Sequence, residues 1–232
     1  MISGSAYSML GNTMKAYKFR GADQIPFALD IMFNNRLYCA DWTRLNDPVE
    51  GNFVFSYASD SGNDYKKEVD KIIEEKKKLK VCSLSLTFDC HLLWSHYASG
   101  FSGLAIEVEL PDDHPEVKVV DYRGVFAFVR MEQHRNASET ADRVLSSKYN
   151  EWAYEKEVRI LKRGEWFDLP SPVRRIICGH RMNPSMFEAL RIICERKGIT
   201  INRIGIGDEG LDADYVPPLN ENCPTNRSSG RA

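Results

Sequence analysis

Six cysteines are present in the 232 residues, but no two form a Cys-x-x-Cys pair, so the ligand spacing of a structural zinc site is missing. Cys39, Cys82, Cys90, Cys178, Cys194 and Cys223 stand singly, several of them in apolar runs. A chain of this length can bury a core without disulfides, and reduced, mostly buried thiols are the expectation. No apolar run approaches the roughly 20 residues that span a bilayer, and the first residues lack a basic-flanked apolar stretch of signal-peptide kind. A soluble, cytoplasmic protein that does not engage a membrane is therefore expected. An excess of one charge is also absent: 31 Lys and Arg face 33 Asp and Glu, for a net charge of -2, and no global basic field draws the chain to nucleic acid. Gly100-Phe-Ser-Gly103 and Gly205-Ile-Gly207 do not complete a phosphate-binding glycine fingerprint, and no Gly-x-Ser-x-Gly nucleophile elbow occurs.

What is present reads as alternating strands and helices. Residues 25 to 34 predict a helix with Pro26 in its first turn. Residues 65 to 80 carry Tyr65, Val69, Ile72, Ile73 and Leu79 at helical spacing, with a lysine-rich opposite face that reads as solvated. Residues 81 to 88 alternate as a strand with Ser83, Ser85 and Thr87 on one side. Residues 92 to 99 predict a short helix, 104 to 110 and 117 to 122 predict strands, and a further helix is expected to end near Tyr149. Val173 to Cys178, then Asn183-Pro-Ser185 as a helix start, Met186 to Lys197 and Ile199 to Ile206 read as strand, helix, strand, a unit that suggests a right-handed crossover between parallel neighbours. The expectation is an α+β fold: a flexible stretch over 1–13, one compact domain over 14–216 with a mixed central sheet flanked by helices, and a disordered tail over 217–232.

The stretch Asn150-Glu-Trp-Ala-Tyr-Glu-Lys-Glu-Val-Arg-Ile-Leu161 has the most chemical content. As a strand it would send Tyr154, Val158 and Ile160 to the core and set Glu155, Glu157 and Arg159 on the other face, with the two carboxylates roughly 7 Å apart. Such a pair could act on a reacting carbon or hold a divalent cation. The bland alternative is a solvent-facing strand with Arg159 neutralising a glutamate. Leu92-Leu-Trp-Ser-His-Tyr-Ala98 offers Trp94 and Tyr97 as stacking rings and His96 as a general acid or base; a packed helix with a satisfied histidine explains it equally well. Arg20 closes an aromatic-basic start and could fork onto phosphate, or form a surface salt bridge.

Together Tyr17-Lys-Phe-Arg20, Arg44-Leu-Asn-Asp-Pro-Val-Glu50, Ser83-Leu-Ser85, Leu93-Trp-Ser-His-Tyr-Ala98 with Gly103, Tyr122 and Trp152-Ala-Tyr-Glu-Lys-Glu-Val-Arg159 resemble a bacterial family called domain of unknown function 2971, over roughly residues 15 to 207. A second, looser resemblance is to ADP-ribosyltransferases of the Arg-Ser-Glu type. It implies that Arg20 holds a phosphate of NAD as co-substrate, that Tyr17, Asn46, Asp47, Ser83, Ser85, Trp94 and Tyr97 help to bind it, and that Glu157 stabilises an oxocarbenium-like transition state with Glu155 and His96 assisting. The partners so implied are NAD, a nucleic-acid or protein acceptor and an antidote protein, in a toxin or phage-defence setting. Leu84 departs from that pattern, which usually has Thr there. Two readings from other classes stand beside it. One is a metal-dependent nuclease with Asp47, Glu155 and Glu157 around Mg²⁺ and Lys156 or His96 assisting; the other is a non-catalytic ligand- or partner-binding module.

Overall fold

The computed structural model describes residues 12–57, 65–131, 136–207 and 210–213. The expectations for most of the flexible start and for all of the tail fall on residues outside these. The chain enters the sheet at Thr13.

Strand β1 (Thr13–Arg20) leads into α1 (Ile25–Asn34), which buries Ile25, Ala28, Ile31 and Met32 at helical spacing and ends where Asn35 turns left-handed. Pro26 sits in the first turn, where its missing N–H has no helical partner to lose. Short strands β2 (Arg36–Tyr38), β3 (Ala40–Asp41) and β4 (Phe53–Ser56) follow, then α2 (Tyr65–Lys77) and β5 (Lys80–Ser85). Helix α3 (His91–Tyr97) precedes the long strand β6 (Leu104–Pro111). Strands β7 (Val117–Val119), β8 (Asp121–Arg123) and β9 (Ala127–Arg130) come next, followed by α4 (Ala137–Leu145) and β10 (Ser147–Tyr149). The chain then runs through β11 (Glu157–Lys162), β12 (Trp166–Asp168), β13 (Arg175–Cys178), α5 (Pro184–Lys197), β14 (Thr200–Arg203), β15 (Gly205–Gly207) and β16 (Gly210–Asp212).

The main sheet has the order β14-β13-β6-β1-β5-β11-β7, with β3 on the edge of β5. The crossover read from the sequence is present: β13 and β14 pair in parallel around α5. Its cap is the expected one, since the Asn183 side chain accepts the N–H groups of Ser185 and Met186, and Gly198 closes the helix in the left-handed region. One face of the sheet packs Ala16, Leu84, Leu104, Ile106, Val158 and Ile160 against α1 and α5. The opposite face packs Tyr17, Phe19 and Ile177 against α3. The fold is a single compact α+β domain with a mixed central sheet flanked by helices. Among the described residues no helix is long and apolar enough to cross a membrane.

The two halves of the sheet are joined thinly. β1 pairs with β6 over eight residues and β5 with β11 over six, but β1 and β5 share one ladder pair, Tyr17 with Ser85. Past that pair a side chain takes over from the backbone: the Lys18 ammonium donates to the Ser83 carbonyl at 2.6 Å. The cleft described below lies along this seam.

Three local expectations are corrected. The helix expected to end near Tyr149 stops at Leu145, because residues 147–149 pair in parallel with β8. Residues 117 to 122 form two short strands, not one, with the break at Val120. Residues 150–161 are not one strand: Asn150–Glu155 winds as a 3-10 helix, Lys156 turns left-handed at φ 44°, and extended structure starts at Glu157.

Candidate functional site

A cleft of about 570 Å³ opens at the seam between β1 and β5. This is the size of a small-molecule site. Lys18 and Arg20 of β1, Ser83 and Ser85 of β5, Arg44 and Asn46 from the segment after β3, and His96 and Tyr97 of α3 all line it. Glu50, Lys148, Glu155 and Glu157 close its far end. Of the residues singled out in the sequence, Tyr17, Arg20, Asn46, Ser83, Ser85, His96, Tyr97, Glu155 and Glu157 meet here.

Two do not. Trp94 is 0% exposed; its indole N–H donates to the Phe88 carbonyl at 2.8 Å, and its ring stacks on Phe101 and meets the edge of Phe19. It is core, with no face left for a ligand. Asp47 is buried outside the cleft and accepts the Val49 N–H, an Asx turn that shapes the loop leading to Glu50.

The carboxylates come together differently from a strand pair. Glu157 keeps its ladder register opposite Ser85, while the 3-10 turn delivers Glu155 from outside the sheet. The left-handed Lys156 makes this geometry, donating its N–H to the Ala153 carbonyl and accepting the Leu86 N–H. A non-glycine residue there costs about 1–2 kcal/mol. Lys156 already carries that cost, so Lys156→Gly is expected to be neutral to stabilising, since the relief is offset by glycine's chain entropy, and Lys156→Val, β-branched, to destabilise further, as read by urea unfolding.

Lys148 bridges the two glutamates, donating to Glu155 Oε2 at 2.6 Å and Glu157 Oε2 at 3.1 Å, with Glu50 at 3.7 Å. Arg159, 0% exposed, donates to both oxygens of Glu157 at 2.7 and 2.9 Å, to the Leu145 carbonyl at 2.7 Å, and to Glu50. Tyr97 donates to Glu155 Oε1 at 2.7 Å, Ser85 donates to the Glu155 carbonyl at 2.6 Å, and the Tyr122 hydroxyl accepts the Glu157 N–H at 2.7 Å. Arg159 does neutralise a glutamate, as the bland reading had it, but in the interior and not in water.

Burial alone would raise the Glu157 carboxyl, yet the charges of Arg159 and Lys148 outweigh it and bring it down to about 2. Burial would likewise lower Lys148, but Glu157, Glu50 and Glu155 hold it above its ordinary value. Glu50 goes the other way: burial raises it in spite of Arg159 and Lys148. Three carboxylates thus face two cations, and Glu50 is the member inclined to keep a proton. The cluster is a locked charge network. Glu157 is ionised and held on both oxygens by Arg159, so it is not free to accept a proton as a general base needs to.

The other end of the cleft is unsatisfied. Arg20 Nε is buried and has no hydrogen-bond partner among the described residues, and no carboxylate there pairs with the guanidinium. Burial lowers Arg20 below its ordinary value. The buried Ser83 hydroxyl makes no hydrogen bond of normal geometry, although it lies close enough to Glu157 to favour its charged form. Gly103 backs this strand end: a Cβ there would strike the Arg20 carbonyl. Tyr17 points elsewhere, donating to Glu107 at 3.2 Å, with burial and that carboxylate pushing its hydroxyl up to about 12.

Glu50, Lys148 and Lys18 were not singled out from the sequence. Glu50 and Lys18 lay in quoted pieces without a role; Lys148 carries no local mark.

No family model matches the chain, and neither a curated protein nor a solved structure matches it. The expected ADP-ribosyltransferase activity, NAD co-substrate and toxin or phage-defence role are corrected on that finding: nothing outside the looser resemblance supported them. The internal geometry agrees, since the glutamate cast as catalytic is tied up by Arg159 and Lys148. The nuclease reading also loses its ligands. Among the described residues no group of three His, Cys, Asp or Glu is placed to hold a metal ion, and Asp47 lies away from the glutamates it was grouped with.

Proposed function

We propose that the cleft binds a small anionic ligand and that the chain works as a ligand-binding module. The observation that carries this reading is Arg20, a guanidinium that lines the cleft with a buried, unpartnered Nε and no carboxylate beside it. Arg20 as a whole is half-buried, but its Nε is shut off from water with no acceptor; an unsatisfied buried donor is costly, and an anionic ligand removes that cost. Lys18 and Arg44 add positive charge to the same walls. The carboxylate network at the far end is held in place by Arg159 and Lys148, which suits a wall that orients a ligand's polar groups.

The test is thermal unfolding in an anion-poor buffer with chloride, acetate, citrate, sulfate or phosphate added at matched ionic strength. A ligand at about 100 times its Kd stabilises by about 2.7 kcal/mol, which for a chain of this size raises Tm by about 5–10 °C. At least one anion is expected to do so in the parent and to lose most of the effect in Arg20→Met, whose fold should survive because Arg20 has no protein partner to strand. No anion-dependent shift, or the same shift in Arg20→Met, overturns the reading.

A further inference from the structure

We propose that the anion is a phosphate dianion, either inorganic phosphate or the terminal group of a phosphomonoester, held between Lys18 and Arg20. This rests on the cleft being an anion site and specifies what it takes.

Donor count and charge select this ligand. An arginine carries five N–H donors and a lysine ammonium three. Arg20 gives none of its donors to the described protein, and Lys18 gives one, to the Ser83 carbonyl. Seven N–H donors remain on two side chains two residues apart on one face of β1. A carboxylate offers two oxygens and one negative charge, so it would leave one of the two cations uncompensated. A phosphate dianion offers three terminal oxygens and two charges, matching both the spare donors and the spare charge. The Ser83 hydroxyl, also without a partner, lines the same cleft.

The surroundings of Lys18 agree. Burial holds its ammonium below the ordinary value, with the neighbouring Arg20 adding to that; Cys82 of β5, Glu157 of β11 and Cys39 beyond β2 pull the other way without overcoming it. A cation lowered by burial is favoured by a ligand that brings counter-charge to it. The exposed Asp23 also lines the cleft, with its carboxylate close to Gly21, and opposes an anion placed beside it. Tyr38 and Tyr97 line the same cleft, and its volume of about 570 Å³ leaves room for the body of an ester.

The test is isothermal titration calorimetry of the full chain in a phosphate-free buffer at about pH 8, where phosphate monoesters are dianionic. The ligands are inorganic phosphate, phenyl phosphate, dimethyl phosphate and acetate. Inorganic or phenyl phosphate is expected to bind at least tenfold tighter than acetate and dimethyl phosphate, and Lys18→Met and Arg20→Met are each expected to weaken it tenfold or more. Tighter binding of phenyl phosphate than of inorganic phosphate assigns an ester; the reverse assigns the free ion. Acetate or the monoanionic diester binding as tightly as the dianions, with dependence on Arg20, overturns the phosphate assignment and leaves the anion site standing. Binding by none of the four, with no shift from citrate or sulfate either, overturns both. Phosphate binding unchanged in both variants also overturns the proposal, and the comparison among ligands on the parent protein holds even if a variant fails to fold.

Discussion

Arg159→Met is expected to cost about 3–5 kcal/mol of unfolding free energy, the range for breaking a buried ion pair by removing one partner. Domains are commonly stable by only about 5–15 kcal/mol, so this is a large part of the total. The cause is specific. Arg159 donates to Glu157 twice, to Glu50 and to the Leu145 carbonyl, all in the interior. A methionine fills similar space but leaves three carboxylates against Lys148 alone, and a carbonyl without its donor. The measurement is urea unfolding: the midpoint should fall with the slope unchanged. The double variant Arg159→Met/Glu157→Gln should cost clearly less than the sum of the single changes, because the charge left over is smaller. A midpoint near the parent value in Arg159→Met would mean that the charge network does not hold the β5-β11 half of the sheet to the segment bearing Glu50.

Much of this site could be read in the sequence, and the parts that could not share a physical reason. Serines at alternate positions on β5, an arginine closing β1 and a carboxylate pair near residue 156 do converge on one cleft. Where the reading failed, local pattern imitated something else. Glu155 and Glu157 are two apart, which mimics a strand face, but a 3-10 turn and a left-handed lysine separate them; lysine at positive φ gives no signal of the kind glycine does. Trp94 sits among polar residues and looks like a platform, yet helical spacing turns it with Leu93 into the core. Glu50 meets Arg159 across 109 positions, a pairing set by tertiary packing. Lys18 and Lys148 look like ordinary solvated lysines because lysine is almost never buried unless paired. By contrast the β13-α5-β14 unit was legible in its order, cap and stop, which are all local, although the single strand read over 199 to 206 breaks at Ile204 into β14 and β15, the latter paired with β16.

Acid should unfold this protein partly through Glu157. Its carboxyl sits at about 2 in the folded state against 4.5 as the ordinary value. A depressed carboxyl stabilises the fold fully above the unfolded value and loses that contribution as pH falls through the folded one. The window is therefore from about pH 5 down to about pH 2, and the contribution is on the order of 3 kcal/mol. Glu50 opposes this. Burial raises its carboxyl, so proton uptake by Glu50 favours the fold as pH falls through its raised value, and the stability curve flattens before Glu157 takes over. Glu157→Gln should lower stability at neutral pH on the order of 3 kcal/mol, with the gap closing toward pH 2. Glu50→Gln should cost less at neutral pH, because it removes a carboxylate that burial already penalises. Urea unfolding of the three proteins at steps between pH 7 and pH 2.5 separates the cases. Parallel curves for the parent and Glu157→Gln would mean that Arg159 and Lys148 do not hold that carboxylate in its charged form.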